Sequence, residues 1–261
     1  MAASELPQMS SALGTADEVR EALRKRLERG LRQIAFFVIP SGVAFLAIGD
    51  LLVGALFQGG AFHAADTRYV WYILVGSTVG LLAATLGRLY SSAFYALRDT
   101  RTPLRFALIR VVITGVLGYL FAIPLRPLLV SAMVALQIPL PAMSGGTKSL
   151  GAIALTATAG IAGWIEYLLL RHGIQKRIGP VRSAAGYEAK LLIAAIVGGV
   201  AAAACDRFFV HGIAAKLPLP RVLEALVACG IFGVLYFGVA FLFGVPEVRA
   251  FLGRFIKKAR V

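Results

Sequence analysis

The chain has 261 residues, 59% of them hydrophobic and only 15% charged, with a mean hydropathy of +0.80. Soluble globular domains hold about 45–50% apolar and about 25% charged residues, so this balance excludes a soluble domain and points to an all-α integral membrane protein. The net charge of +14 does not argue for nucleic acid, because the Lys and Arg residues sit between apolar runs instead of gathering on one face.

Within residues 16 to 32, Val19, Leu23, Leu27 and Leu31 recur at four-residue spacing among charges. That pattern is expected to form an amphipathic helix on the inner leaflet, part of a cytoplasmic segment over 1–32. No short apolar stretch with a small-residue cleavage site follows Met1, so no signal peptide is expected. Runs of about 20 apolar residues then give six candidate spans. They cover roughly 33 to 57, 69 to 95, 104 to 124, 149 to 170, 188 to 209 and 221 to 244. Pro40 in the first span is expected to kink it and to free a backbone carbonyl. The stretch from Pro124 to Gly146 is broken by Pro124, Pro127, Pro139 and Pro141. It reads as an outer loop with one or two interfacial helical turns.

The basic residues set the orientation. Arg20, Arg24, Lys25, Arg26, Arg29 and Arg32 precede the first span, and Arg98, Arg101, Arg105 and Arg110 surround the second connection. Arg171, Lys176, Arg177, Arg182 and Lys190 fill the fourth connection, and Arg249, Arg254, Lys257, Lys258 and Arg260 form the tail. The opposite loops hold only Arg68, Arg126, Lys148, Arg207, Lys216 and Arg221. By the positive-inside rule both termini are expected in the cytoplasm. Arg88 is the one basic residue left inside a span.

The connection from Phe94 through Tyr95 and Asp99 to Thr102 and Pro103 is a short basic hairpin between two apolar walls. Thr102 is expected to be the N-cap of a helix with Pro103 in its first position, where the missing N–H costs nothing. Asp99 is placed to hold the neighbouring arginines or the loop backbone.

Gly76, Gly80, Ala84 and Arg88 fall at successive four-residue steps, so one helix face runs from small residues, which let helices approach closely, to an arginine. Arg88 has two readings. It snorkels to the headgroups, or it points into a polar cavity and contacts an anionic substrate group, since an intramembrane charge costs at least about 2.5–3.5 kcal/mol. Asp50, Glu166 and Glu224 lie near span ends and are expected to be solvated. Ala194, Gly198 and Ala202, with Gly230, Val234 and Gly238, mark small faces on the last two spans. Trp164, Tyr167 and Tyr236 read as belt or packing aromatics. Cys205 and Cys229 read as small packing residues. His63, His172 and His211 are scattered over loops, and no HExxH, Walker loop, GxSxG or metal-spaced cysteine pair occurs. No cofactor, metal or catalytic group is expected, and neither is an enzyme.

Several motifs follow one another in an order that resembles the MurJ (MviN) family of lipid II flippases. They are Leu6-Pro7-Gln8-Met9-Ser10, Gly30-Leu31-Arg32 leading to Ile39-Pro40-Ser41, Leu56-Phe57-Gln58-Gly59-Gly60-Ala61-Phe62 with Asp66-Thr67, and the Phe94 to Pro103 hairpin. Ser149-Leu150-Gly151-Ala152 is similar to the family's entry to the next span, whereas the loop over 124–147 looks like an insertion. The resemblance implies a fourteen-helix fold of two six-helix lobes and two terminal helices that line a groove for a polyprenyl tail. It places the six spans last in that fold: 33–185 as four spans of the second lobe, and 186–261 as the groove pair with its basic tail. It implies transport of undecaprenyl-diphosphate-linked peptidoglycan precursor across the bacterial inner membrane by alternating access. The family's main diphosphate-binding arginines would precede Met1, so the chain is expected to be a fragment, a split gene product or one half of a complex. Arg88, and after it Arg32, are the substrate-contact candidates that remain. Membrane lipids, the lipid-linked precursor and a missing N-terminal half are the expected partners, with no nucleic acid. Two alternatives stand beside this: another polyprenyl-linked saccharide exporter of the superfamily, and a non-transporting structural or regulatory half that pairs with a second polypeptide.

Overall fold

The computed structural model describes residues 16–135, 150–181, 185–210 and 220–248. The described elements are helices: α1 (Ala16–Phe57), α2 (Ala64–Ala96), α3 (Arg101–Ala122), α4 (Arg126–Ala135), α5 (Gly151–Ile178), α6 (Ala185–Cys205) continued by a π-turn over Asp206–Val210, and α7 (Pro220–Leu242). Six helices, all but α4, are long and apolar enough to cross a membrane. The six expected spans are therefore present. The N-terminal and C-terminal motifs and tails, Leu6 to Ser10 and Arg249 to Arg260 among them, lie outside the described residues.

The chain divides into two compact units that are not linear segments. The first joins residues 1–34 to 75–183, and the second joins 35–74 to 184–261. Each has its own apolar core.

In the first unit the stripe expected on the inner leaflet is core instead. Leu23 and Leu27 are buried against Leu89, Tyr90, Ala93, Ile174, Ile178 and Val181, with Leu31 packed on the same cluster. The reason lies in α5, which runs eight residues past the expected end of its span at 170 and brings Ile174 and Ile178 under that stripe. Protein, not lipid, covers the leucines. The glycine face of α2 is used as its spacing suggested. A β-carbon built on Gly80 would lie 2.5 Å from Gly160 Cα, and one built on Gly76 would lie 2.6 Å from Thr156 Oγ1. Only glycine admits this approach of α2 to α5, and the Trp164 indole seals it by donating to Val79 O at 2.7 Å. The expected outer loop holds a longer helix than one or two turns. Pro127 sits in the first turn of α4, where proline is tolerated, and no further proline interrupts its ten residues.

In the second unit Pro40 acts as expected on the hydrogen-bond ladder. Having no N–H, it leaves Phe36 O without its helical donor. Tyr236 of α7 fills that vacancy, its hydroxyl donating to Phe36 O at 2.8 Å. The non-helical backbone of α1, however, is at Ile48 (φ −132°, ψ 16°) and not at Pro40. There Trp71 intrudes: its indole N–H donates to Phe45 O at 3.0 Å, the acceptor that the ladder assigns to Gly49. A donor inserted into the ladder is a recognised cause of a helix break. The small face of α6 packs on α7, where a β-carbon on Gly198 would meet Phe232 O at 3.0 Å. Cys229 is exposed on α7, so it is not a packing residue within the described chain.

Candidate anion groove beside the α2–α3 hairpin

The hairpin is built by two backbone closures. At the end of α2, Arg98 N–H donates to Tyr95 O (2.9 Å) and Asp99 N–H to Phe94 O (3.0 Å), with Arg98 itself at φ 59°. This is the left-handed helix stop that normally takes glycine. At the start of α3 the N-cap position is Thr100, whose side chain makes no cap bond, and the capping oxygen comes not from Thr102 but from Asp99. Its Oδ1 accepts the N–H groups of Arg101 and Thr102, both at 3.0 Å. Thr102 gives its hydroxyl to Asp99 Oδ2 at 2.6 Å and is spent as a donor, so α3 starts two residues before Pro103. Asp99 holds loop backbone, as one of its two expected roles. The arginine it pairs with is Arg177 from the end of α5, which also lies over the Phe94 ring at 5.2 Å. The Thr102 hydroxyl and N–H, then Arg177, hold the Asp99 carboxyl well below its usual range, at about 2. Phe94 is fully buried, under Gly173.

Above this base lies a groove of about 810 Å³, walled by α2, α3 and α5. Arg88, Ser91, Ser92 and Tyr95 line one side and Arg101, Pro103, Leu104 and Arg110 the other, with Glu166 closing it from α5. Arg88 is exposed and has no ion-pair partner among the described residues. It stands eight residues before the end of α2, about 12 Å along the helix axis. Arg110 Nη1 meets Glu166 Oε2 at 3.0 Å. The Glu166 side chain is only 12% exposed against 38% for Arg110, so this carboxylate is largely covered and held in an ion pair, where its position near a span end suggested a solvated group. The groove thus offers two cations without an ion-pair partner among the described residues, Arg88 and Arg101, a third already neutralised, and the hydroxyl groups of Ser91, Tyr95 and Thr100, a set of donors suited to phosphoryl oxygens.

Other sequence candidates lie elsewhere. Arg32 is exposed on α1 and does not line the groove. The Gly59 to Asp66 motif forms a tight loop in the second unit: Gly59 and Phe62 exchange backbone hydrogen bonds of 3.2 and 3.0 Å across Gly60, whose φ is 56°. Asp66 caps α2 from within its first turn, accepting His63 N–H at 2.9 Å. Phe57 and Phe62 lie with ring centroids 6.2 Å apart at this turn. Pro40 is buried. Glu224, expected to be solvated, is 2% exposed, with Arg221 at 3.6 Å. The Arg110–Glu166 and Arg177–Asp99 pairs went unforeseen, because partners 56 and 78 positions apart leave no local pattern. The one available signal is Arg110, the seventh residue of the apolar span expected over 104–124.

Comparison with known proteins gives a consistent picture. A family model described as lipid II flippase MurJ matches residues 2–136. A probable lipid II flippase MurJ of Rhizobium tropici is 27% identical over 98% of this chain and 43% of its own length. The lipid II flippase MurJ of Burkholderia cenocepacia is 27% identical over 92% of the chain and 42% of its own length. A probable lipid II flippase MurJ of Thermotoga maritima is 29% identical over 61% of the chain and 29% of its own length. The chain thus spans about two fifths of the length of the first two of these relatives.

Proposed function

The chain belongs to the lipid II flippase MurJ family, and on that premise we propose that it forms part of a flippase moving undecaprenyl-diphosphate-linked peptidoglycan precursor across the bacterial inner membrane. Its six apolar helices and its family make it a multi-pass membrane protein. In this reading both termini and the α2–α3 hairpin are cytoplasmic, as the distribution of Lys and Arg supports. The four spans over 33–185 belong to a moving lobe, and the two over 186–261 flank the polyprenyl tail. Alternating access of that lobe against the preceding spans carried by the longer relatives completes the path. No bond is made or broken.

The observation that carries the reading is the cationic groove beside the hairpin, where Arg88 is free to meet a diphosphate entering from the inner leaflet. Arg32, outside the groove lining, receives no role. Replacing Arg88 with Ala in the host's own copy, and measuring lipid II exposed on the outer leaflet, tests this. Loss of one charge-assisted contact of about 1.5–3 kcal/mol implies roughly a tenfold or greater fall in transport. Unchanged exposure removes Arg88 from the substrate path.

A further inference from the structure

The ion pair on the groove wall is placed where a ligand could displace it. Arg110 lines the same space as Arg88, while Glu166, the only carboxylate lining that space among the described residues, holds it from α5 at 3.0 Å. A guanidinium has five N–H donors. Glu166 accepts from Nη1, and the Arg110 side chain, 38% exposed, lines the groove. Three arginines, Arg88, Arg101 and Arg110, line one cavity and would repel one another when it is empty. Glu166 offsets the charge of Arg110 and leaves Arg88 and Arg101 as the first points of attraction.

Resting on the reading that Arg88 meets the diphosphate, we propose that Arg110 is the second phosphoryl ligand and that Glu166 is its internal competitor. A bound headgroup draws the Arg110 guanidinium toward Arg88, and the groove reverts to the Arg110–Glu166 pair when the headgroup leaves. The device sets affinity low enough for release, because binding must displace a contact the protein already makes. Ser91 and Tyr95 supply neutral donors on the α2 side, whereas the Ser92 hydroxyl is spent on Leu89 O at 2.7 Å.

The test uses the whole chain in nanodiscs of zwitterionic lipid, titrated with undecaprenyl diphosphate and, separately, with inorganic diphosphate. Glu166→Gln keeps shape but removes the competitor. It should tighten the lipid diphosphate at least about fivefold, the low end of ordinary coupling between sites. Arg110→Gln should weaken binding, and Glu166→Gln should give no tightening once Arg110 is also Gln. An affinity unchanged or weakened in Glu166→Gln overturns the proposal. Should that variant fail to fold, an Arg110→Gln affinity equal to wild type overturns it instead. Tightening confined to inorganic diphosphate overturns the headgroup assignment in favour of a free anion. Arg88→Ala separates the two claims. Weakened binding in Arg88→Ala with no response to Glu166→Gln sinks the exchange alone, whereas tightening in Glu166→Gln with an indifferent Arg88→Ala sinks the Arg88 reading alone.

Discussion

Single atoms decide two of the helix ends and one helix interior. The Tyr236 hydroxyl exists in this core to satisfy the carbonyl that Pro40 abandons, so Tyr236→Phe leaves Phe36 O buried and unpaired. The expected cost is about 1–3 kcal/mol, read as a lower Tm in detergent. With Ala at position 40 the helix supplies its own N–H, and the same Tyr236→Phe change should cost markedly less, a coupling that a double-mutant cycle measures. Arg98 makes the opposite case. Its φ of 59° carries a steric penalty of about 1–2 kcal/mol for a residue with a β-carbon, so Arg98→Gly should raise Tm. Asp99 adds a pH dependence with a definite sign. Its carboxyl is depressed from 3.8 to about 2, so its contribution is complete above the unfolded value and is lost as pH falls toward 2. In Asp99→Asn, the part of the acid destabilisation between those values should disappear.

At the scale of the helix, the α2–α5 crossing rests on glycine. Gly80→Ala sets a methyl 2.5 Å from Gly160 Cα, and backbone cannot yield as a flexible side chain can. Loss of at least about 2 kcal/mol is expected. Gly115→Ala on α3, with open space at its β-carbon, should be neutral or gain up to about 1 kcal/mol. Thermal unfolding of the pair in one detergent checks both. Leu27→Ala discriminates the two accounts of the α1 stripe: as core it costs about 2–5 kcal/mol in stability, whereas a lipid-facing leucine would leave stability nearly unchanged.

These elements also mark what was legible in the sequence. Six spans, the small face of α2 and the carbonyl freed by Pro40 follow from composition and local covalent geometry, which any window of residues carries. The fate of the Val19 to Leu31 stripe does not, because the same spacing suits a lipid surface and a protein core. Ile174 and Ile178, some 150 residues away, decide it. The break at Ile48 was invisible for a like reason, since it is made by the Trp71 indole. The hairpin announced itself, but Asp99 and Thr102 both offer oxygens to cap α3 and only their positions show that Asp99 does so. Arg88 was found because it is a lone charge among apolar residues. The position of Glu166 near a span end, by contrast, says nothing of the arginine facing it.

For the molecule as a whole, the proposed topology, which rests on the charge asymmetry, sets the Gly59 to Phe62 loop and the end of α5 on opposite sides of the membrane. In a background with Cys205 and Cys229 replaced by Ala, a single Ala61→Cys should label with a membrane-impermeant maleimide in intact spheroplasts. Lys176→Cys, exposed at the end of α5, should label only after permeabilisation. The reverse pattern would invert the topology and place the arginine groove on the wrong leaflet to receive a cytoplasmic precursor. The proposed flippase role has its most direct test in depleting this chain from its host and following lipid II on the outer leaflet with an impermeant probe. The account predicts that outer-leaflet lipid II falls while the total pool rises behind the block. Outer-leaflet exposure that persists at its original level, with the chain gone, would contradict it.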